Sequence, residues 1–261
     1  MRTIQDFGTV VNLRTLVVVV LSVASTHLCF RLGWQAEIPT GLIGLAVVFP
    51  IVFSINAAYR RREEVLRYFG AIKAHAVALY YAQRDWLPAG QGSESAQAAA
   101  ARENVERLLR ALHRHFSKQG GRTQATFVGV YDCLSRFSVL NEAMRAAEVP
   151  ANEISRANQY VSKMTIDFER MENYLDYRTP LSLRAYSRVF LTAFPILFGP
   201  YFAQLSLESF TAAGYVVAVM YSAVLVSLDN IQGDLEDPYD EVGTDDVKLD
   251  IYQRYPPIVD H

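Results

Sequence analysis

The sequence predicts an all-α membrane protein, with four transmembrane helices and a water-facing helical bundle between the second and the third. Three observations carry this. Four apolar stretches approach the ~20 residues that cross ~30 Å of hydrocarbon. The polar region between the second and third stretches repeats its apolar residues at three- and four-residue spacing. No segment alternates apolar and polar residues as a half-buried strand would. Composition agrees: 51% of the 261 residues are hydrophobic, yet 20% are charged. Spans alone would be more apolar, and a soluble chain rarely holds such long uncharged runs. A formal net charge of −2 gives no basic excess for a nucleic-acid partner.

Residues 1–58 hold the N-terminal segment and the first two spans. The first span covers about 15–33. Its length and the lack of a small-residue cleavage site mark it as retained rather than as a signal peptide. The second, "IPTGLIGLAVVFPIVFSINAA", covers about 38–58, with Pro50 loosening the ladder to Ala46. Val65, Leu66, Phe69, Ile72, Ala76 and Leu79 continue it as an amphipathic helix, until "PAGQGSES" (88–95) breaks it. "AQAAAARENVERLLRALHRHF" is the next helix, ended by Gly120 and Gly121. Another covers about 123–147. Pro150 opens one more, which closes near Thr179–Pro180. Residues 59–183 thus form a helical region. Residues 184–230 hold spans three (about 186–206) and four (about 211–228), and 231–261 form an acidic C-terminal segment. Cys29 and Cys133 are assigned to different levels, so no disulfide framework is implied.

Basic residues orient the chain. Arg2 and Arg14 precede span one, Arg60, Arg61, Arg62 and Arg67 follow span two, and Arg178, Arg184 and Arg188 border span three. The two remaining connections carry only Arg31, at the margin of one. The positive-inside rule then places both termini and the helical region in the cytoplasm.

Leu45, Phe49 and Phe53 recur every fourth residue on one face of span two. Such a stripe is either a packing face or a hydrophobic constriction built from one helix of each of several subunits. "LDNIQGDLEDPYDEVGTDDVKLD" (228–250) crowds nine carboxylates beside one lysine. Like charges repel, so the segment either stays solvated, pairs with arginines or holds a cation. Ca²⁺ takes roughly six to eight hard oxygens, which clustered carboxylates with a turn at Gly243 supply. His27 lies within span one, as a packing or a functional residue. His113 and His115 point apart on their helix, with no third ligand beside them. No phosphate loop, nucleophile elbow or metal-hydrolase motif is present, so no enzyme is expected.

"FSINAAYRRREE", followed by "FG", resembles the bestrophin family. Its members carry Phe-x-x-Asn-x-Ala-Tyr-x-Arg-x-x-Glu at the end of the second span. Phe53, Asn56, Ala58, Tyr59, Arg61 and Glu64 fill those places, and Phe69–Gly70 stands where the family has Trp-Gly. "IPTGLIGLAVVF", "YRTPLSLRAYSRVF" and "IQGDLEDPYDEVGTDDVKLD" are similar to three further family stretches, in the same order. The departures indicate a distant bacterial-type branch. Arg62–Glu63 replaces Trp-Trp, Asp237–Asp240 reads Asp-Pro-Tyr-Asp instead of Asn-Pro-Phe-Gly, and one residue is inserted before the following Asp pair.

The resemblance implies a homopentameric passive ion channel in the lipid bilayer of a cell membrane, here the bacterial inner membrane. Span two would line the pore, with Leu45, Phe49 and Phe53 as its neck. A cytoplasmic aperture would form at Val149, Ala151 and Ile154. The acidic segment would belt a neighbouring subunit and hold Ca²⁺ through Asp237 and Asp246, then Asp234 and Asp240. The permeant ions would be small monovalent anions such as chloride, since the positive edges of aromatic rings favour weakly hydrated anions. Two alternatives stand beside this: a monovalent-cation channel of the same family, and a non-conducting membrane-anchored scaffold or sensor.

Overall fold

The structure is a computed structural model that describes residues 12–37, 39–87, 96–117, 120–177, 181–239 and 246–255. Among them no strand occurs. The helices are α1 (Leu13–Leu32), α2 (Thr40–Asp85), α3 (Ala96–Phe116), α4 (Gln124–Ala146), α5 (Ala151–Asp176), α6 (Leu181–Leu197), α7 (Gly199–Glu208) and α8 (Ala213–Glu236). A 3₁₀ turn covers Asp250–Arg254.

Local chemistry sets the boundaries. The Asn12 side chain accepts a hydrogen bond from the Thr15 N–H at 3.1 Å, capping α1. Gly33, at φ 69°, closes α1 in the left-handed region. The Thr123 side chain accepts from the Thr126 N–H, while the Thr126 hydroxyl accepts from the Thr123 N–H, which starts α4. α2 is 46 residues long and passes Pro50 without interruption.

The chain divides into two compact units: residues 1–60 with 178–236, and 61–177 with 237–261. Among the described residues of the first unit, three helical stretches are long and apolar enough to cross a membrane: Leu13–Leu32, Arg188–Glu208 and Ala213–Glu236. The remaining expected span, span two, falls on the first turns of α2, where several side chains lie outside the described residues.

The third expected span is two helices. α6 ends at Leu197 and α7 begins at Gly199–Pro200. Pro200 has no N–H to offer the Ile196 carbonyl, and the Ser25 hydroxyl donates to that carbonyl at 2.8 Å. The Ser22 hydroxyl donates to the Pro195 carbonyl at 2.7 Å. Side chains of α1 thus serve carbonyls at the break, which a lipid-embedded backbone requires. α7 and α8 approach backbone to backbone. A Cβ on Gly214 would lie 1.8 Å from the Phe202 carbonyl oxygen, so no larger residue fits there. Arg14 fastens the far end of α1. It donates to the buried Asp229 carboxylate of α8 and, at 2.8 Å, to the Thr192 hydroxyl of α6.

The larger apolar core of the second unit joins four helices. Val65, Phe69, Ile72 and Leu79 of α2 meet Leu108 and Phe116 of α3, Phe137 of α4 and Phe168 of α5. A buried polar chain crosses it: Gln83 donates to Asn141 at 3.2 Å, and Asn141 to Asn158 at 2.8 Å.

Candidate functional site

The site is built on α2. Ile51, Ser54 and Ala58 recur at helical spacing and are buried in the first unit. That fixes the phase of the helix and leaves Phe49 and Phe53 outward, 51% and 65% exposed. The two rings stack on one another at 6.1 Å. Leu45 lies on α2, but its side chain is outside the described residues.

The motif that follows divides in two. Asn56 and Tyr59 are exposed. Arg61 and Glu64 are structural. Arg61 donates to the Tyr174 carbonyl at 2.6 Å and lies over the Tyr174 ring, satisfying a carbonyl in the last turn of α5. Glu64 accepts from the Tyr68 hydroxyl at 2.8 Å and from Arg67 at 2.5 Å. Arg62 pairs with Glu63 at 2.7 Å.

Two of the three residues expected at the aperture are buried within the chain. Val149 and Ile154 are 7% and 4% exposed and pack with Ala82, Leu87 and Met144. The chain reverses at Glu148, at φ 60°, which folds Val149 back onto the end of α4. Ile154 then falls on the inward face of α5. Of the three, Ala151 alone is exposed.

The acidic segment is anchored by apolar side chains. α8 continues past the expected end of span four to Glu236, carrying Asp229 and the exposed Asp234. The Asp237 carboxylate accepts from the Tyr239 N–H at 3.3 Å. The Val247 N–H donates to the Pro238 carbonyl at 2.9 Å. Asp237 and Asp246 therefore flank one hydrogen-bonded clip, while Asp240 lies outside the described residues. Tyr239, Val247 and Leu249 are buried in the second unit, and the Tyr239 ring stacks on Phe116 at 4.7 Å. Its hydroxyl has no hydrogen-bond partner among the described residues. Burial, with Glu172 and Asp237 nearby, pushes that hydroxyl well above the ordinary tyrosine range. Among the described residues, no three His, Cys, Asp or Glu side chains are disposed to hold a metal.

His113 and His115 do diverge. His113 packs on Tyr252, whereas His115 is buried in a charged network that the sequence reading missed. Its Nε2 hydrogen-bonds Glu172 at 2.7 Å, and its Nδ1 meets the Thr126 hydroxyl at 2.8 Å. Arg122 donates to Glu172 and to Asp176, each at 2.6 Å. Burial alone would raise the Glu172 carboxyl, but the His115 and Arg122 hydrogen bonds outweigh it and hold the group below the usual carboxylate range. The signal was present, since Met164, Phe168 and Met171 define the buried stripe of α5 and Glu172 lies four residues after Phe168. In the first unit, His27 Nδ1 lies 3.0 Å from the Tyr215 hydroxyl.

No family model matches the sequence, and no curated protein matches it. Solved structures do. A bacterial bestrophin homologue from Klebsiella pneumoniae, in one single-residue variant, covers 94% of this chain and 97% of its own, with a TM-score of 0.76 at 16% identity. A second variant covers 95% and 98%, with a TM-score of 0.76 at 17% identity. A structure described as a membrane protein reaches a TM-score of 0.78 at 15% identity, over 95% and 98%. The fold of this chain is therefore that of the bacterial bestrophin homologues over nearly its whole length.

Proposed function

We propose that this chain is one subunit of a homopentameric passive ion channel with four spans per subunit and both termini in the cytoplasm. One observation carries the reading: Phe49 and Phe53 stand outward on α2, unpacked against the rest of their own unit. Large apolar side chains exposed in a row need a cover, and a ring of the same helix around a symmetry axis supplies one. The fold shared with bacterial bestrophin homologues supports it. Leu45, Phe49 and Phe53 then form a neck where an ion sheds water or waits for the ring to widen. Positive ring edges ease weakly hydrated monovalent anions such as chloride through it.

We assign Ca²⁺ to the clip flanked by Asp237 and Asp246. Asp237 and Asp246 are brought to one hydrogen-bonded closure, and carboxylates with backbone carbonyls are the donors that this ion takes. Bound there, it would neutralise the acidic segment.

Two measurements test the channel. Native mass analysis in mild detergent reads the subunit count, and a planar bilayer under a NaCl gradient reads the reversal potential. A pentamer with a potential near that of chloride supports the reading. A potential near that of sodium replaces anions by cations, and a monomer or dimer without current leaves a membrane-anchored scaffold.

A further inference from the structure

We propose that Arg60 selects the permeant ion: it forms a ring of guanidinium groups, one per subunit, at the inner mouth of the neck that gathers monovalent anions and repels cations. The inference rests on the channel reading and adds to it the residue that sets the sign of the charge carried.

Four arginines follow the neck over residues 60–67 of α2, and three of them are committed. Arg61 holds the Tyr174 carbonyl and covers its ring. Arg62 holds Glu63. Arg67 holds Glu64, which Tyr68 also engages. Arg60 is exposed and has no ion pair or hydrogen bond among the described residues. The two carboxylates that follow it, and that would otherwise cancel its charge, are each occupied by another arginine. The stretch therefore keeps a net positive charge, and Arg60 is its exposed contributor with no ion pair among the described residues.

Its direction follows from helix geometry. Arg60 is seven residues after Phe53, which places it about 20° around the axis and about 10 Å further along. It lies on the outward face that carries Phe53. Side chains on a helix lean toward its N-terminus, so the Arg60 head reaches back toward the Phe53 ring. A Debye length of about 8 Å at physiological salt keeps the neck within the field of that ring. Repeated around an axis, the charges raise the anion concentration at the mouth by roughly an order of magnitude.

The test varies charge at this position in the assembled channel. Wild type, Arg60→Lys, Arg60→Gln and Arg60→Glu are placed in planar bilayers under asymmetric NaCl, each after its pentamer has been verified. Arg60→Lys is expected to keep the wild-type reversal potential. Arg60→Gln is expected to lower the chloride-to-sodium permeability ratio by about threefold or more, and Arg60→Glu to carry the potential toward that of sodium. Both shifts should shrink in concentrated salt. Arg60→Cys provides the same comparison without an assembly risk, because cationic and anionic thiol reagents add charge after the channel has formed. Both native cysteines are buried and free. Current whose reversal potential is indifferent to charge at position 60, or lies on the sodium side in wild type, overturns the inference and leaves the channel standing. Absence of wild-type current overturns both.

Discussion

Replacing Arg14 by Met tests whether a charged clasp holds the first unit together. Arg14 reaches Asp229 and Thr192 and so ties α1 to α8 and α6. The Asp229 side chain is 7% exposed, whereas that of Arg14 is 33% exposed. Removing the arginine strands a buried carboxylate, for which about 3–5 kcal/mol is typical. Water reaches a third of the Arg14 side chain, so the expected loss is discounted to about 2–3 kcal/mol. Asp229→Leu should cost less, about 1–2 kcal/mol, because the freed arginine can turn its head to water. The double variant leaves neither charge buried and places apolar volume at both positions, so its cost should be about 0–1 kcal/mol. The cycle thus predicts a coupling of about 2 kcal/mol or more, far outside the ~0.5 kcal/mol scatter of independent sites. Denaturant unfolding of the purified protein in mild detergent, followed by intrinsic fluorescence, gives the midpoints. If the double variant is as unstable as the sum of the two singles, the clasp argument is wrong.

Glu172 should give a distinct acid limb. Its carboxyl is held low, so its contribution is full above the ordinary carboxylate range and is lost as pH falls through the lowered folded value; melting against pH should show Glu172→Gln less acid-sensitive than wild type, and equal slopes would remove Glu172 from the account. Tyr239→Phe deletes a buried hydroxyl that has no partner among the described residues and should be neutral or stabilising by about 1 kcal/mol, whereas Tyr239→Ala opens a cavity against Phe116 worth about 3–5 kcal/mol; a clear loss in the Phe variant would show that the hydroxyl has a partner. Calcium should raise the melting temperature at micromolar to millimolar concentration, and Asp237→Ala with Asp246→Ala should abolish the increment; identical melting in calcium and chelator would leave the segment as a belt without metal. Phe49→Ala with Phe53→Ala should raise open probability or current, and unchanged single-channel behaviour in an assembled pentamer would move the gate elsewhere.

Breaks in the sequence carried most of the fold. α3 covers the expected 96–116, because "PAGQGSES" and the glycine pair leave no other extent for it. Two boundaries were hidden. The apolar run of span three contains the α6–α7 break, yet hydropathy is blind to it, because proline suits the first turn of a new helix as well as it disrupts an old one. α8 was expected to end where the acidic residues begin, yet it continues to Glu236. The first of those acids, Asp229, meets an arginine 215 residues away, a contact that no local pattern holds.

The site was legible to the extent that helical phase decides it. Ile154, Ala157, Met164, Phe168 and Met171 form one buried stripe, so the inward direction of Ile154 could have been read from spacing; position in a motif was the weaker guide. The same logic applied to α2 sends Ile51, Ser54 and Ala58 inward and Phe49, Phe53, Asn56 and Arg60 outward. An outward aromatic stripe alone fits lipid, a packing partner or a water-filled passage. The polar residues on its line separate these. Asn56 is exposed within one turn of Phe53 and makes no hydrogen bond among the described residues. In hydrocarbon an amide without a partner costs several kcal/mol, and about 1–3 kcal/mol in a dry protein interface. In a passage holding water it costs almost nothing. The same holds more strongly for the guanidinium of Arg60 one turn later. Aromatic side chains that need a neighbour and polar ones that need water, on one face of one helix, are what the proposed hydrophobic constriction, open to water at its inner end, would satisfy together.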